Sequence, residues 1–192
     1  MHATATATLP QDLCDYIAAL DNADRQATEM VASLSDAQVN WQPHNGGAWS
    51  VAQCLEHMGA TSIVYLEALR EAAKRAKAGH RPLAAAGFLS RFFLKKAEPP
   101  VSLKIKAPGK IHPSQGLTKA EALKKFHEST DAVREFACET QGLDLCGTRF
   151  KNPFIKGLNF TVATGLLVIA AHNRRHLWQM EQVLKDAGFP RG

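Results

Sequence analysis

The sequence predicts an all-α fold: a four-helix bundle in up-down-down-up order, with a long crossover between helices 2 and 3. Four segments repeat apolar residues every three or four positions, which is the period of an amphipathic helix. Nothing between them indicates a set of paired strands. Roughly 40 residues separate the second segment from the third, which is long for a loop inside one domain. A helix of about 26 residues is about 39 Å long, so such a connection can return along the bundle and leave helices 2 and 3 parallel.

The first two helices are marked at their starts. The first predicted helix runs from about Pro10 to Leu34, and proline suits a first turn because its missing N–H is not needed there. The second begins at Ser50, where Ser50 and Gln53 form a capping-box pattern, and ends near Lys77. Its apolar face comprises Val51, Leu55, Met58, Ser62, Tyr65 and Leu69.

The last two helices carry similar signals. The third opens with a second capping-box pattern, Thr118 and Glu121, and Gly142 suits its C-terminal cap. The fourth begins near Thr161 and runs to Ala187, where glycine and proline follow. One side of it comprises Leu166, Ile169, Asn173, His176, Met180 and Val183.

A chain of 192 residues is long enough to bury a substantial core, and we expect a single domain over residues 1–192. Residues 1–8 are predicted to be a frayed tail and residues 78–117 to be the crossover. Inside the crossover, residues 87–96, GFLSRFFLKK, interleave aromatic and basic side chains. This pattern is typical of a short amphipathic helix on a membrane or partner subunit or, more commonly, of a helix packed over its own bundle.

The net charge is +5, and the excess of basic over acidic residues lies in one segment. Between Arg81 and Leu117 the sequence holds seven basic residues and a single acid, Glu98. Because the rest of the chain is close to neutral, the charge does not indicate a nucleic-acid partner. The basic segment either attracts an anionic substrate or is an exposed loop, and the second interpretation is slightly favoured.

The location of the protein is predicted from features that the sequence lacks. No apolar run reaches the ~18 residues of a membrane span, so we expect no stable membrane insertion. The first residues have neither the basic start nor the apolar centre of a signal peptide. The four cysteines are far apart and show no C-x-x-C spacing. These features together predict a cytoplasmic protein with reduced thiols.

Two histidines raise the question of a metal site. His172 and His176 are four residues apart in the fourth predicted helix, so they share one face with Cβ atoms about 5–6 Å apart. With eight histidines in the chain, chance alone produces about 0.3 pairs at this spacing. Their place along an apolar face is stronger evidence, because burying an unpartnered polar group costs ~1–3 kcal/mol. Arg174 and Arg175 are predicted to point elsewhere on the helical wheel.

A third ligand has to come from another helix, and His57, at the edge of the second helix's apolar face, is the best candidate. We therefore predict that His57, His172 and His176 bind one divalent metal, zinc or nickel, with positions left open. Three neutral imidazoles with open positions are typical of a catalytic site. The remaining histidines lie in the tail, in loops or at the edge of the third helix: His2, His44, His80, His112 and His127.

Alternatives to this interpretation stay open. The three histidines can instead be polar core residues of a non-catalytic helical bundle that binds a ligand or partner. No general base is identifiable: Glu56 and Glu181 either assist the site or are solvated surface acids. A zincin-type peptidase is excluded, because that motif needs a glutamate directly after the first histidine and Asn173 occupies the position.

Two stretches together carry a family resemblance. The stretch WQPHNGGAWSVAQCLEHM (residues 41–58), a long gap and AHNRRHLWQMEQVL (residues 171–184) resemble the DinB superfamily, including its YfiT-like metal-dependent hydrolases. The shared features are the Trp-Ser pair that opens helix 2, the histidine that follows it, and a pair of histidines four apart in the last helix. The resemblance spans most of the chain, although the crossover and helix 3 add little to it.

The resemblance implies a four-helix bundle in up-down-down-up order and a divalent metal held by His57, His172 and His176. It also implies a metal-dependent S-transferase or hydrolase that acts on a small molecule. Characterised relatives include transferases and an isomerase that use low-molecular-weight thiols such as bacillithiol or mycothiol. The family name refers to DNA-damage induction, which is no evidence of DNA binding. Whether two copies form a homodimer is left open.

Overall fold

The computed structural model describes residues 9–85, 87–100 and 108–191, most of them in helices. The predicted tail, residues 1–8, and part of the predicted crossover, residues 101–107, lie outside the described residues. Four long helices are present: α1 (Gln11–Val31), α4 (Val51–Ala73), α6 (Lys119–Glu139) and α7 (Val162–Lys185). The shorter elements are α2 (Asp36–Asn40), α3 (Pro43–Gly46), α5 (Phe88–Ala97), β1 (Arg149–Lys151) and β2 (Asn159–Thr161). The all-α class is confirmed, with one small sheet added.

The predicted capping boxes are confirmed at both helix starts. The Ser50 side chain accepts a hydrogen bond from the Gln53 backbone N–H at 3.2 Å, and the Gln53 side chain accepts one from the Ser50 N–H at 3.0 Å. Thr118 caps α6 in the same way. A third capping box, at Ser35, begins α2 between the first two predicted helices. Its S-x-x-Q pattern was visible in the sequence.

Helices α4 and α6 run in the same direction, as two pairs of contacts along them show. Near one end, Lys125 donates to the Glu56 carboxylate at 2.6 Å, and farther along, Arg70 pairs with Glu135 at 3.3 Å. Between them the helices come very close at Gly59, where an added Cβ would lie 2.9 Å from the Lys125 carbonyl oxygen. The absence of a side chain at this position allows the backbones to approach.

The other helix pairs run in opposite senses. Along α1 and α6, Thr28 contacts His127 at 3.2 Å, whereas the lower-numbered Asp21 pairs with the higher-numbered Arg134 at 2.7 Å. Along α4 and α7, His57 meets His172, while at the far end Gly165 faces one methyl group of Leu69. In both pairs the residue numbers rise along one helix as they fall along the other, so each pair is antiparallel.

The buried apolar residues form two clusters along the long helices. On α7, Ala170 belongs to the first cluster and Leu177 to the second. On α6, Phe126 belongs to the second cluster and Val133 to the first. Buried polar residues lie in the gaps between the clusters, on α4, α6 and α7: Thr61, Ser62, Ser129, Thr130, Asn173 and His176. The predicted metal ligands of α7 therefore lie where the apolar packing is interrupted.

The crossover contains α5, which packs against α7. Phe93 and Leu94 contact the first apolar cluster, while Phe92 stays 55% exposed. This contact supports the second of the two sequence interpretations, in which the segment covers its own bundle. Among the described helices, none combines the length and the apolar character needed to cross a membrane.

The sequence prediction missed a hairpin between α6 and α7. Strands β1 and β2 pair antiparallel, with Phe150 opposite Phe160, and both rings are buried against the first apolar cluster. Asn152 in the connection donates to the Tyr65 hydroxyl at 3.0 Å. Each strand has only three residues, which is too short for an alternating pattern to stand out. The expectation that no strands pair in this chain was therefore wrong.

Candidate metal centre

His57 reaches the site from the second turn of α4, and its side chain is buried. Its Nδ1 lies 2.8 Å from the backbone carbonyl oxygen of Ile111, in the crossover. Because a carbonyl oxygen only accepts, Nδ1 carries the proton and Nε2 presents a lone pair. A backbone acceptor behind a histidine is the usual device that fixes the tautomer and orientation of a metal ligand.

His172 and His176 project from α7 toward His57. The Nδ1 of His176 donates to the side-chain oxygen of Gln179 at 3.0 Å, which leaves the His176 Nε2 free to bind a ligand. The Nε2 atoms of His172 and His57 are 3.2 Å apart. Two nitrogens that each lie about 2.1 Å from one ion are about 3.0–3.4 Å apart, so this separation suits a shared metal.

The three predicted residues meet at one point. One ligand nitrogen from each of His57, His172 and His176 lies within 4.8 Å of the other two. No other group of three potential ligands is this close among the residues that the structure describes. The Nδ1 of His172 is buried and has no hydrogen-bond partner among the described residues. Leaving such a buried group unpaired costs about 1–3 kcal/mol. The cluster is therefore poorly satisfied by its own hydrogen bonds, as expected of residues that serve a ligand.

Burial keeps the three imidazoles neutral. Desolvation is the main cause that lowers the pKa of His57, lowers that of His172 well below its usual value, and lowers that of His176 to about 3. Neutral imidazole is the form that binds a divalent ion. The donor set, its tautomers and its protonation state therefore fit a divalent metal.

An aromatic side chain that the sequence prediction left out flanks the site. The Trp49 ring is 4.6 Å from the ring of His57 and stacks on that of His176 at 5.8 Å, between centroids. It also makes a T-shaped contact with the exposed His112 ring, with 6.1 Å between centroids. The sequence signal for Trp49 was its place directly before Ser50, because the start of the helix sets the position of the residue that precedes an N-cap.

The two glutamates that the sequence left as candidates to assist the site make other contacts. Glu56 accepts hydrogen bonds from the backbone and hydroxyl of Ser114, both at 2.7 Å, and pairs with Lys125. It therefore anchors the crossover beside His57. Glu181 pairs with Lys185 on the outer surface of α7 at 3.3 Å. The contacts of both carboxylates are those of structural or surface residues.

The Gln179→Leu variant is expected to bind zinc about 10–100-fold more weakly than the wild-type protein, because loss of an orienting partner typically costs this much. The Gln179 oxygen is the acceptor that holds the His176 ring in place. Isothermal titration with zinc measures the change, and Gln182→Leu, on the same helix, is the control. Equal affinities in the wild-type and Gln179→Leu proteins would show that the ring is oriented without this bond.

The metal-free protein is expected to lose stability as the pH falls. The pKa of His176 is about 3 in the folded protein and about 6.5 in the unfolded chain, so the unfolded chain binds a proton between these values and the folded protein does not. The free energy of unfolding is therefore highest above about pH 6.5 and falls below it, and His176 contributes a loss of about 2 kcal/mol between about pH 7 and pH 5.

Urea unfolding at both pH values tests this dependence. The His176→Gln variant, which has no imidazole at this position, should show a smaller loss of stability between the two pH values than the wild-type protein. The same loss in both proteins would contradict the assignment of the effect to His176.

The comparisons with known proteins agree with the geometry in one respect. The family model described as the DinB superfamily matches residues 19–180, a range that contains all three histidines. Comparison with curated proteins and with solved structures gives no match. Family membership and the three-histidine cluster are together compatible with a metal-binding enzyme.

Proposed function

The chain belongs to the DinB superfamily, and from this premise we propose that it is a metal-dependent enzyme acting on a small molecule. One observation carries the proposal: His57, His172 and His176 present ligand nitrogens within 4.8 Å of one another. The Ile111 carbonyl and the Gln179 side chain hold two of these rings from behind. A cluster oriented in this way is suited to ligand binding rather than to core packing.

The reaction we propose is S-transfer with a low-molecular-weight thiol, or hydrolysis. The ligand set suits zinc or nickel. When bound, such an ion lowers the pKa of a coordinated water or thiol, which supplies a nucleophile near neutral pH. His57, His172 and His176 hold the ion as neutral imidazoles, and burial disfavours their protonation. Trp49 covers one side of the cluster and limits access of solvent from that side.

We propose an up-down-down-up bundle that forms a single domain over residues 1–192. Its support comes from contacts that run in the same sense along α4 and α6 and in opposite senses along α1 and α6 and along α4 and α7. We also propose a cytoplasmic location, since all four cysteines are free thiols. We expect no nucleic-acid partner and no stable membrane insertion, and a homodimer is left to measurement.

Metal analysis of protein purified without a histidine tag tests the proposal. The expected result is about one equivalent of zinc or nickel per chain. Protein that stays metal-free after incubation with either ion would contradict the proposal and favour a non-catalytic bundle with core histidines. Conjugation of electrophiles with several cellular thiols then tests S-transfer. A rate of substrate consumption that is the same whichever thiol is present would favour hydrolysis.

A further inference from the structure

Buried polar atoms without a hydrogen-bond partner concentrate beside the metal centre. Among the described residues, all but one of these atoms belong to α4 and α7, the two helices that carry the three histidines. The exception is the Tyr16 hydroxyl on α1. The others are the hydroxyls of Thr61 and Ser62, the Nδ1 of His172, and both the oxygen and the nitrogen of the Asn173 amide. Unpaired groups that cluster in this way indicate a shared occupant, because native structures leave few buried polar groups unsatisfied.

These side chains lie close to the histidines along both helices. Thr61 follows His57 by four residues on α4, so the two share a face with Cβ atoms about 5–6 Å apart. Asn173 precedes His176 by three residues on α7, which places these two on one face as well. The helices meet at this level, where the Nε2 atoms of His57 and His172 are 3.2 Å apart. The unpaired groups therefore extend the centre into the gap between the two apolar clusters.

His172 is the one histidine of the three whose ring has no orienting partner from the described residues. The other two ring N–H groups donate to the Ile111 carbonyl and to the Gln179 side chain. When the Nε2 of His172 faces the metal, its Nδ1 carries the proton and needs an acceptor. No described residue supplies that acceptor. It has to come from an occupant of the polar gap.

The burial and the polarity of the gap favour water as this occupant. Thr61, Ser62 and Asn173 are each at most 3% exposed, so a substrate cannot reach these groups unless the helices separate. Their hydroxyls and amide both donate and accept hydrogen bonds, and none carries a charge. An internal water typically makes about three hydrogen bonds to such groups. The preceding residues of α7, Ala170 and Ala171, add little side-chain volume at this level.

We propose that a water molecule bound between α4 and α7 accepts a hydrogen bond from the His172 Nδ1–H and donates its own two to the Thr61 hydroxyl and the Asn173 amide oxygen. Thr61 and Asn173 are then positioning residues, which act on the metal through the ring of His172. The water site follows from the unpaired groups alone, whereas the positioning role rests on the proposed metal-dependent function.

Urea unfolding of the metal-free Thr61→Val variant tests the water site. Valine has the shape of threonine without the hydroxyl, so the variant loses one hydrogen bond to the water and its urea midpoint is expected to fall. Thr130→Val calibrates the loss, because the buried Thr130 hydroxyl donates to the Asp24 carboxylate at 2.8 Å. Its midpoint should fall further, since a bond to a charged group is stronger. A midpoint of Thr61→Val equal to or above that of the wild-type protein overturns the water site.

Zinc titration of the Asn173→Leu variant tests the positioning role. The expected affinity is about 10–100-fold lower than that of the wild-type protein, the usual effect of losing an orienting partner. Thr61→Val should also weaken zinc binding, and it decides the question if Asn173→Leu does not fold. Asn152→Leu is the control, because Asn152 is a buried amide of the β1–β2 connection that donates to the Tyr65 hydroxyl at 3.0 Å. This control should lower the urea midpoint and leave the zinc affinity unchanged.

The outcomes separate the water site from the proposed function. Zinc affinity that stays unchanged in both Thr61→Val and Asn173→Leu overturns the positioning role, even where both variants unfold more readily. Wild-type protein that binds no zinc contradicts the proposed function and the positioning role with it. The urea midpoints of the metal-free proteins decide the water site in either case.

Discussion

The His57→Ala and His176→Ala variants are each expected to lose the metal that the wild-type protein retains. Each substitution removes one of three ligand nitrogens that lie within 4.8 Å of one another. Loss of a supporting residue costs about 10–100-fold in affinity, and loss of a ligand should cost at least the upper end of that range. Metal content by mass spectrometry, after dialysis against a weak chelator, measures the effect.

The control for these variants is His127→Ala. His127 is on α6 and contacts Thr28 of α1 at 3.2 Å, outside the cluster. Its removal should leave the metal content unchanged. Full retention of metal by His57→Ala would contradict a site shared between α4 and α7 and would limit the site to the two histidines of α7.

The Gly59→Val variant is expected to lower the free energy of unfolding by about 3 kcal/mol, the upper part of the usual range for overpacking. A Cβ at this position would lie 2.9 Å from the Lys125 carbonyl oxygen and 3.5 Å from the Phe126 Cα. These are backbone atoms of α6, which cannot move aside as a flexible side chain does. The two helices have to separate instead, with a loss of packing around the fully buried Phe126.

Denaturant unfolding of the metal-free variant measures this loss. Gly109→Val is the control, because no described residue lies within 4 Å of the position of a Cβ there. It should stay within about 0.5 kcal/mol of the wild-type protein, as most surface substitutions do. Equal stability of the Gly59→Val and wild-type proteins would show that the helices can separate at this point without cost.

Local signals predicted the helical elements well. The Ser50 and Thr118 capping boxes mark the starts of α4 and α6 in the structure as they did in the sequence. The predicted apolar face of the second helix is also buried along its whole length, Ser62 included. These features depend on residues three or four positions apart, which helix geometry brings together whatever the rest of the chain does.

Features that depend on distant contacts were predicted less well. The strands β1 and β2 are too short for a visible period, and they form because Phe150 and Phe160 pack against the helices. The Ile111 carbonyl behind His57 comes from a crossover loop in which no residue type marks a backbone acceptor. No spacing rule relates these partners, which are far apart in the chain.

The sequence by itself determined that His172 and His176 share a helix face and that His57 lies on another helix, because helical periodicity is a local property. Only the tertiary structure decided that the three rings meet and that Trp49 packs against two of them. The packing of α4 against α7 sets these positions. That packing depends on side-chain volumes along both helices together, which no single segment of the sequence contains.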